Sequence, residues 1–276
     1  MSATGANVKA LVRQGSSGEA VANLRTFGVN VVFVDYNNEE ELTKACEGAS
    51  VVVSALSGVR DVIVDAQTNL LNAAIKAGVR RFIPSDYCID FTKLPYGTNR
   101  NLDLRKEFAE RLNAAPIKAT SVLNGMFTDL LTGQAPVILF GMGRVVYWGN
   151  SDQLLDFTTL DNTAAYTAQA ALDDNTPRFL RIAGEVMSTK GLQEAASQAT
   201  GKLFKLLRPG GLVGLKTMIT ITRTLFPKKE EVFPPWQGMQ YLYNMYSGLP
   251  KLHSLDNDRY PSMRWTSVAE VLKAKK

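Results

Sequence analysis

Soft metal ligands are scarce in this chain: two cysteines and one histidine in 276 residues. Cys46 and Cys88 form no Cys-x-x-Cys pair, so neither a disulfide framework nor a zinc site is indicated. His253 alone cannot build a histidine-based metal centre. It also leaves no histidine for triad chemistry unless His253 is itself the base. The opening residues, Met-Ser-Ala-Thr-Gly, lack the basic start and apolar run of a secretory signal. No uncharged apolar run reaches the roughly 18 residues that a membrane span needs. The expected address is the cytoplasm, with no membrane partner. Internal repeats and low-complexity tracts are absent as well.

The chain has the composition of a packed domain. Hydrophobic residues make up 45% and charged residues 21%, close to the globular average. The length fits one large α/β domain, or one with a smaller companion. Basic residues exceed acidic ones by 31 to 26, for a net charge of +5. That excess suits an anionic small ligand without pointing to one. It is not concentrated as nucleic-acid binding requires. One stretch, residues 200–229, carries Lys202, Lys205, Arg208, Lys216, Arg223, Lys228 and Lys229 and no acid. A solvated face is the favoured reading there over a functional patch.

Residues 1–130 alternate between short β-rich runs and amphipathic helical stretches. Strands are expected at 7–13, 29–34, 50–56, 81–84 and 117–123. Helices are expected at 18–27, 39–47, 65–77 and 102–112, the third closed by Gly78. Strands apolar throughout their length imply burial on both faces, the mark of a parallel sheet covered by helices. The expected fold is therefore a doubly wound, mostly parallel, Rossmann-like α/β sheet. After about Thr128 the rhythm breaks. Runs at 137–140 and 145–148 flank Gly141-Met142-Gly143 with hairpin spacing. Helices follow at 162–172 and 190–200, and a short strand at 179–183. Pro209-Gly210-Gly211 is expected to break the chain. Residues 131–276 read as a smaller substrate lobe belonging to the same domain, with an aromatic cluster at Tyr241, Tyr243 and Tyr246.

In an open parallel sheet, ligands bind beyond the carboxyl ends of the strands, so the residues following each strand carry the candidates. Arg13, with Ser16 beside it, reads either as the partner of an NADP 2′-phosphate or as a solvated arginine. Asp35 and its neighbours line an adenine pocket or lead into a helix capped by Asn37 or Asn38, the second reading being favoured. Ser57-Gly58 are small enough for a dinucleotide to pass close to the backbone. Ser85, Asp86 and Tyr87 act on a substrate carbonyl or hydroxyl, or serve as structural caps.

The run Gln67 to Tyr87, with its Ala-Gly-Val-Arg-Arg-Phe-Ile-Pro-Ser-Asp-Tyr core, resembles the NmrA-like and isoflavone-reductase-like atypical short-chain dehydrogenases. Val12-Arg13, Val34-Asp35-Tyr36, Val53-Ser54-Ala55-Leu56 and Ser121 to Phe127 extend the likeness over most of the chain. That family is NADP(H)-linked. Some members reduce small, often aromatic, substrates, and others bind the nucleotide as redox-sensing regulators. The resemblance implies Arg13 at the 2′-phosphate and Ala55 and Ser57 along the pyrophosphate or ribose. It implies Pro84, Ser85 and Tyr87 near the nicotinamide, with Asn124, Gly125 and Phe127 closing that side.

Two departures from the family pattern stand out. Its opening strand, glycine-rich turn and helix are not found before residue 7, where only Ala3-Thr4-Gly5 is left as a remnant of the turn. A truncated gene model or splice form, with weak or absent cofactor binding, is expected. The neighbouring strands should be left unpaired or forced together, because that first strand is central in the fold. Second, the family's reductases use a lysine on the helix containing Arg105, and Asn101 stands at its place. The Tyr-x-x-x-Lys pair of ordinary short-chain dehydrogenases is also missing, Tyr96 and Arg100 coming nearest. The leading expectation is an NADP(H)-dependent oxidoreductase on a small-molecule substrate, with Tyr87, Asp86 and Asn101 as catalytic candidates. The alternatives are a non-catalytic NADP(H) sensor acting on a regulatory protein partner and an inactive product.

Overall fold

The structure, a computed structural model, describes residues 5–275; Ala3 and Thr4, read above as part of a turn remnant, lie outside them. The elements in chain order are β1 (Lys9–Arg13), α1 (Glu19–Thr26), β2 (Asn30–Val34), α2 (Glu39–Cys46), β3 (Val51–Val53), α3 (Gln67–Lys76), β4 (Arg81–Ile83) and α4 (Arg100–Ala114). Then come β5 (Lys118–Ala119), β6 (Ser121–Leu123), β7 (Met126–Phe127), β8 (Ile138–Leu139), β9 (Arg144–Trp148), β10 (Leu155–Thr158) and α5 (Leu160–Leu172). The chain closes with β11 (Phe179–Arg181), β12 (Glu185–Met187), α6 (Thr189–Thr200), β13 (Lys205–Gly210), α7 (Leu212–Leu225), α8 (Pro235–Ser247) and α9 (Val268–Ala274).

These elements form two compact units interleaved in sequence. The first holds residues 5–85, Glu107–Ser121 and Thr167–Arg178; the second holds Asp86–Lys106, Val122–Tyr166 and residues 179–275.

The first unit is built on parallel pairing. β1 pairs β2 from Lys9↔Asn30 to Arg13↔Val34, and β4 lies between β3 and β5, parallel to both. Its core gathers Val34, Leu42, Leu70, Leu71, Ala73, Ala74, Phe82, Phe108 and Leu112. Burying each Leu or Phe there contributes on the order of 1.5–3 kcal/mol. α2 starts at Asn38, whose side chain accepts the Glu41 N–H at 3.1 Å. Three glutamates fill its first turn, where the positive end of the helix dipole favours them. The cap reading of this segment is the one realised.

Among the described residues β1 and β3 do not pair; β1–β2 and β3–β4–β5 are separate sheets. One difference from the sequence reading is burial: β1, β2 and β3 are mostly half-buried, and of the first four strands β4 alone is buried along its whole length. A further difference is the start of the helix expected at 65. A π-helical segment, Asp61–Ala66, runs into α3. Val62-Ile63-Val64 is β-branched and reads poorly as helix, yet Ile63 and Val64 are buried.

In the second unit, β10 lies between β7, parallel, and β12, antiparallel. β8 and β9 form the expected antiparallel hairpin, turned by a 3-10 segment, Phe140–Met142, with Gly143 left-handed at φ +59°. Pro209-Gly210 does not break the chain as expected. β13 runs through both residues, parallel to β9, with a register shift between Leu207 and Gly210. Such a bulge accommodates a proline that has no N–H to give to the ladder. The basic stretch runs from the turn before β13 through β13 and α7 to the loop beyond, with Lys202, Lys205, Arg208, Lys216, Lys228 and Lys229 exposed. A buried ion pair, Lys251–Asp156, ties the late chain to β10, and Asp156 also accepts the Leu252 N–H at 2.8 Å.

Candidate functional site

In the first unit, the candidates follow the carboxyl ends of parallel strands. Arg13 closes β1 in register with Val34 on β2; its side chain is exposed and makes no ion pair among the described residues. The turn after it holds half-buried Ser16, whose N–H bonds the Arg13 carbonyl at 3.1 Å. Gly15 and Gly18 in that turn have φ of +78° and +104°. Asp35 follows β2, and its carboxylate accepts the Asn37 N–H at 2.9 Å. The Tyr36 hydroxyl donates to the Leu11 carbonyl at 3.1 Å. Burial raises the Tyr36 phenol pKa and Arg13 pulls it back.

Beyond β3, the Ser54 hydroxyl is buried with no hydrogen-bond partner among the described residues, while Ala55 and Ser57 are exposed. Gly58 is packed so tightly that an added Cβ would stand 2.4 Å from Val62 Cβ. Only glycine lets the loop close onto the helical segment that starts at Asp61. That segment follows a parallel strand, and its start has no side-chain cap among the described residues; nucleotide folds hold phosphates at helix starts so placed. Beyond β4, Pro84 and Ser85 are buried. The Ser85 hydroxyl donates to the Leu56 carbonyl at 2.7 Å and its N–H to Gln67 Oε1 at 2.9 Å. Ser85 thus straps the ends of β3 and β4 together. An exposed cation on β1 and a buried hydroxyl, neither partnered among the described residues, and exposed small residues after β3 fit a dinucleotide.

In the second unit, the loop after β4 meets the segment between β6 and β7: Asn124 and Gly125 both donate their N–H to the Cys88 carbonyl, at 3.1 and 3.2 Å. Gly125 has φ +71°, and a Cβ there would lie 2.4 Å from the Asp156 carbonyl oxygen. Asn124 is fully buried with its Oδ1 unpartnered, an acceptor suited to a carboxamide N–H. Phe127 and Tyr87 are half-buried, and Asp86 is buried. Arg105 interacts electrostatically with Tyr241, Cys88 and Asp86. Its guanidinium also donates to the Asn101 carbonyl at 3.1 Å. Burial alone would lower the Arg105 pKa, and those three neighbours raise it instead. Burial pushes the Cys88 thiol up to about 12, which makes it an inert thiol rather than a nucleophile.

Asn101 is buried, and its amide is held on both sides. Its Oδ1 accepts from Arg100 Nε at 3.0 Å, and its Nδ2 donates to the Val232 carbonyl at 2.8 Å. Tyr96 lies under the Lys106 ammonium, 4.7 Å from its ring centroid. Arg100 spans the carbonyls of Lys229, Glu231 and Val232. A cleft of about 740 Å³ in the first unit is lined by Arg80, Arg81 and Lys118 at the amino ends of β4 and β5. That is the wrong end of the strands for a nucleotide.

Among the described residues no cluster of His, Cys, Asp and Glu is arranged to hold a metal ion, and no helix is long and apolar enough to cross a membrane.

The sequence reading did not single out Arg105, Gln237, Gln240 or Asn244, and took Tyr241 only as one of an aromatic cluster. The available signal was Gln-x-x-Gln-Tyr-x-x-Asn, polar groups at helical spacing on what became a buried face.

Residues 1–213 match the NmrA-like family. The chain is 30% identical to oxidoreductase swnN of Metarhizium robertsii, over 87% of this chain and 83% of that protein. It is 25% identical to pinoresinol reductase 1 of Arabidopsis thaliana, over 91% of this chain and 82% of that protein. A solved structure of AtPrR2 with NADP+ and (+)pinoresinol superposes with a TM-score of 0.82 at 22% identity, covering 100% of this chain and 92% of that one.

Proposed function

The chain belongs to the NmrA-like family, and on that premise we propose that it is an NADP(H)-dependent oxidoreductase acting on a small organic molecule. The observation that carries the cofactor side is Arg13: an exposed guanidinium with no ion pair among the described residues, ending a parallel strand one residue before the Gln14 N–H bonds the Val34 carbonyl of β2 at 3.1 Å. A guanidinium there pairs with a 2′-phosphate, where an acid would accept ribose hydroxyls. The relatives named as oxidoreductases and reductases support the reaction class.

The residues that would hold the cofactor are Arg13 and Ser16 after β1, Asp35 after β2, Ala55 and Ser57 after β3, and Pro84 and Ser85 after β4. Asn124, Gly125 and Phe127 would hold its reactive end. When bound, such a cofactor supplies hydride. The chain's own task is orientation and charge. The strap from Ser85 to Leu56 keeps the exits of β3 and β4 together. The bonds from Asn124 and Gly125 to Cys88 hold the loop bearing Asp86 and Tyr87.

Two measurements test the reading: the affinity for NADPH against NADH by fluorescence titration, and loss of NADPH absorbance with a panel of aromatic carbonyl and conjugated substrates. Preferential NADPH binding with turnover supports it. NADPH binding without turnover on any panel member favours a non-catalytic nucleotide binder, a role in keeping with an Asn101 that has no titratable amine.

A further inference from the structure

α7 turns an apolar face to solvent. Leu215 and Ile219, one turn apart, are its buried side, and the helix packs along α8. Away from that side stand Val213, Met218, Ile221 and Leu225, all exposed, Val213 at 83% and Leu225 at 65%. Phe226, the next residue, is exposed too. Met218, Ile221 and Leu225 fall at spacing i, i+3 and i+7, one edge of the helix surface. A single exposed apolar side chain is ordinary. A run of them along one helix marks a surface that meets a partner.

The threonines of the same helix sharpen this. The hydroxyls of Thr217, Thr220 and Thr224 donate back to the carbonyls of Val213, Lys216 and Thr220, at 3.1, 3.1 and 2.9 Å. All three side chains are exposed, yet each hydroxyl is satisfied inside the helix. They can therefore lose their water at little cost. Ile219 to Thr222 are four β-branched residues in a row. A helix that met only water would favour alanine, glutamate and lysine there.

The other edge is basic. Lys216 and Arg223, seven residues apart, are exposed, and exposed Lys228 and Lys229 follow the helix. No acid occurs from residue 200 to 229. Glu230 and Glu231 come next, and Glu231 pairs with Lys228 at 2.7 Å. Lys216, Arg223 and Lys229 make no ion pair among the described residues; Arg223 lies 5.3 Å from the centroid of the Trp236 ring. Charge and exposed apolar area thus share one helix, which a merely solvated face does not require.

The surface that covers this helix must be anionic outside and apolar beneath. A second copy of the chain fits poorly. A two-fold interface sets a patch against itself, and Lys216 and Arg223 would then meet their own like charges. A phospholipid surface needs no matching groove. It takes apolar side chains between its headgroups while the headgroups meet the cations. We propose that α7, with Phe226 at its end, docks on an anionic phospholipid surface and lies in the plane of the headgroups. It would rest on the bilayer, since no described helix is long and apolar enough to cross one. This docking is independent of the reductase reading.

The full chain should pellet with vesicles of phosphatidylcholine and phosphatidylserine in equal parts. It should stay in solution with phosphatidylcholine alone, and rising salt should release it. Leu225→Ser should weaken the partition about ten-fold or more, the worth of a buried leucine. Lys216→Gln should weaken it about five-fold, the share of one cation at an anionic surface. Both positions are exposed, so the melting curves should match wild type; Ile221→Ser replaces Leu225→Ser if the latter melts early. Failure to pellet with the anionic vesicles overturns the docking. Equal partition by wild type and both variants overturns it as well, because the contact then lies elsewhere. A dimer in sedimentation velocity that Leu225→Ser dissolves gives the face to a second copy and also overturns it.

Discussion

The two units bury polarity to different extents, the first holding a few buried polar side chains such as Ser54, Gln67 and Ser85 beside a large apolar cluster. In the first, the candidate residues sit at strand ends with Arg13, Ala55 and Ser57 open to solvent, and the interior is an apolar cluster around Leu70, Phe82 and Phe108. In the second, polar groups go inside: Asp86, Asp90, Asn99, Asn101, Asn124, Gln237, Gln240 and Asn244 are all buried. Arg181 meets Asp90 at 3.0 Å, and Lys251 meets Asp156. An exposed rim suits a ligand that brings its own charge and hydration. A buried polar network suits chemistry at a defined atom, because low dielectric strengthens each correctly placed dipole and penalises each misplaced one. Substitutions in the second unit should therefore cost more than those in the first.

The largest effect is expected at Asp156→Asn. It strands the Lys251 ammonium in a site where the two side chains are 13% and 5% exposed, and denaturant unfolding should register a loss of about 3–5 kcal/mol. A loss below about 1 kcal/mol would place that pair with the exposed ones. Gly125→Ala comes next. A left-handed backbone and a Cβ 2.4 Å from the Asp156 carbonyl should cost at least about 2 kcal/mol, with a drop in turnover as the Asn124 loop shifts.

In the first unit, Arg13→Ala should leave the thermal midpoint unchanged and weaken NADPH binding by about 10–100-fold, the worth of a charge-assisted hydrogen bond. NADH affinity should not move. An equal loss for both nucleotides would assign Arg13 a role unrelated to the 2′-phosphate.

Alkaline pH separates the units by another route. Cys88 and Tyr246, both in the second unit, are pushed up to about 12 by burial. Below the ordinary thiol value near 9, both states are protonated and native stability is intact. As pH rises, the unfolded chain ionises first, so stability drains away from pH 9 toward about 12. Melting curves across that window should fall steadily, and Tyr246→Phe should flatten the upper part. The smallest effect is expected for Lys76→Gln, which breaks an exposed pair with Glu39 at 2.5 Å. Its thermal midpoint should stay within about 2 °C of wild type.

Much of the first unit was legible because its information is local. Asn38 with three following glutamates announces a helix start, and Gly78 at φ +74° follows a helix end. Short apolar runs alternating with helices imply parallel pairing. The half-burial of β3 was not legible, since it depends on what lies beside a strand rather than on the strand's own residues. The continuation of β13 through Pro209-Gly210 was missed because a bulge against β9 absorbs the proline, and nothing within that tripeptide announces its partner. Asn101 was picked out by position, but its engagement by Arg100 and Val232 needed residues far along the chain.

By itself, the sequence determined the α/β class, the parallel pairing and the family, because hydrophobic period, caps and contiguous motifs act over a few residues. Only the tertiary structure decided the partners of the buried polar groups: Ser85 strapped to Leu56, Cys88 beneath Asn124 and Gly125, and Asn101 held between Arg100 and Val232. A hydrogen bond between residues distant in sequence leaves no periodic trace in either segment. Burial decides whether such a bond is indispensable or incidental, and burial exists only once the chain has closed around it.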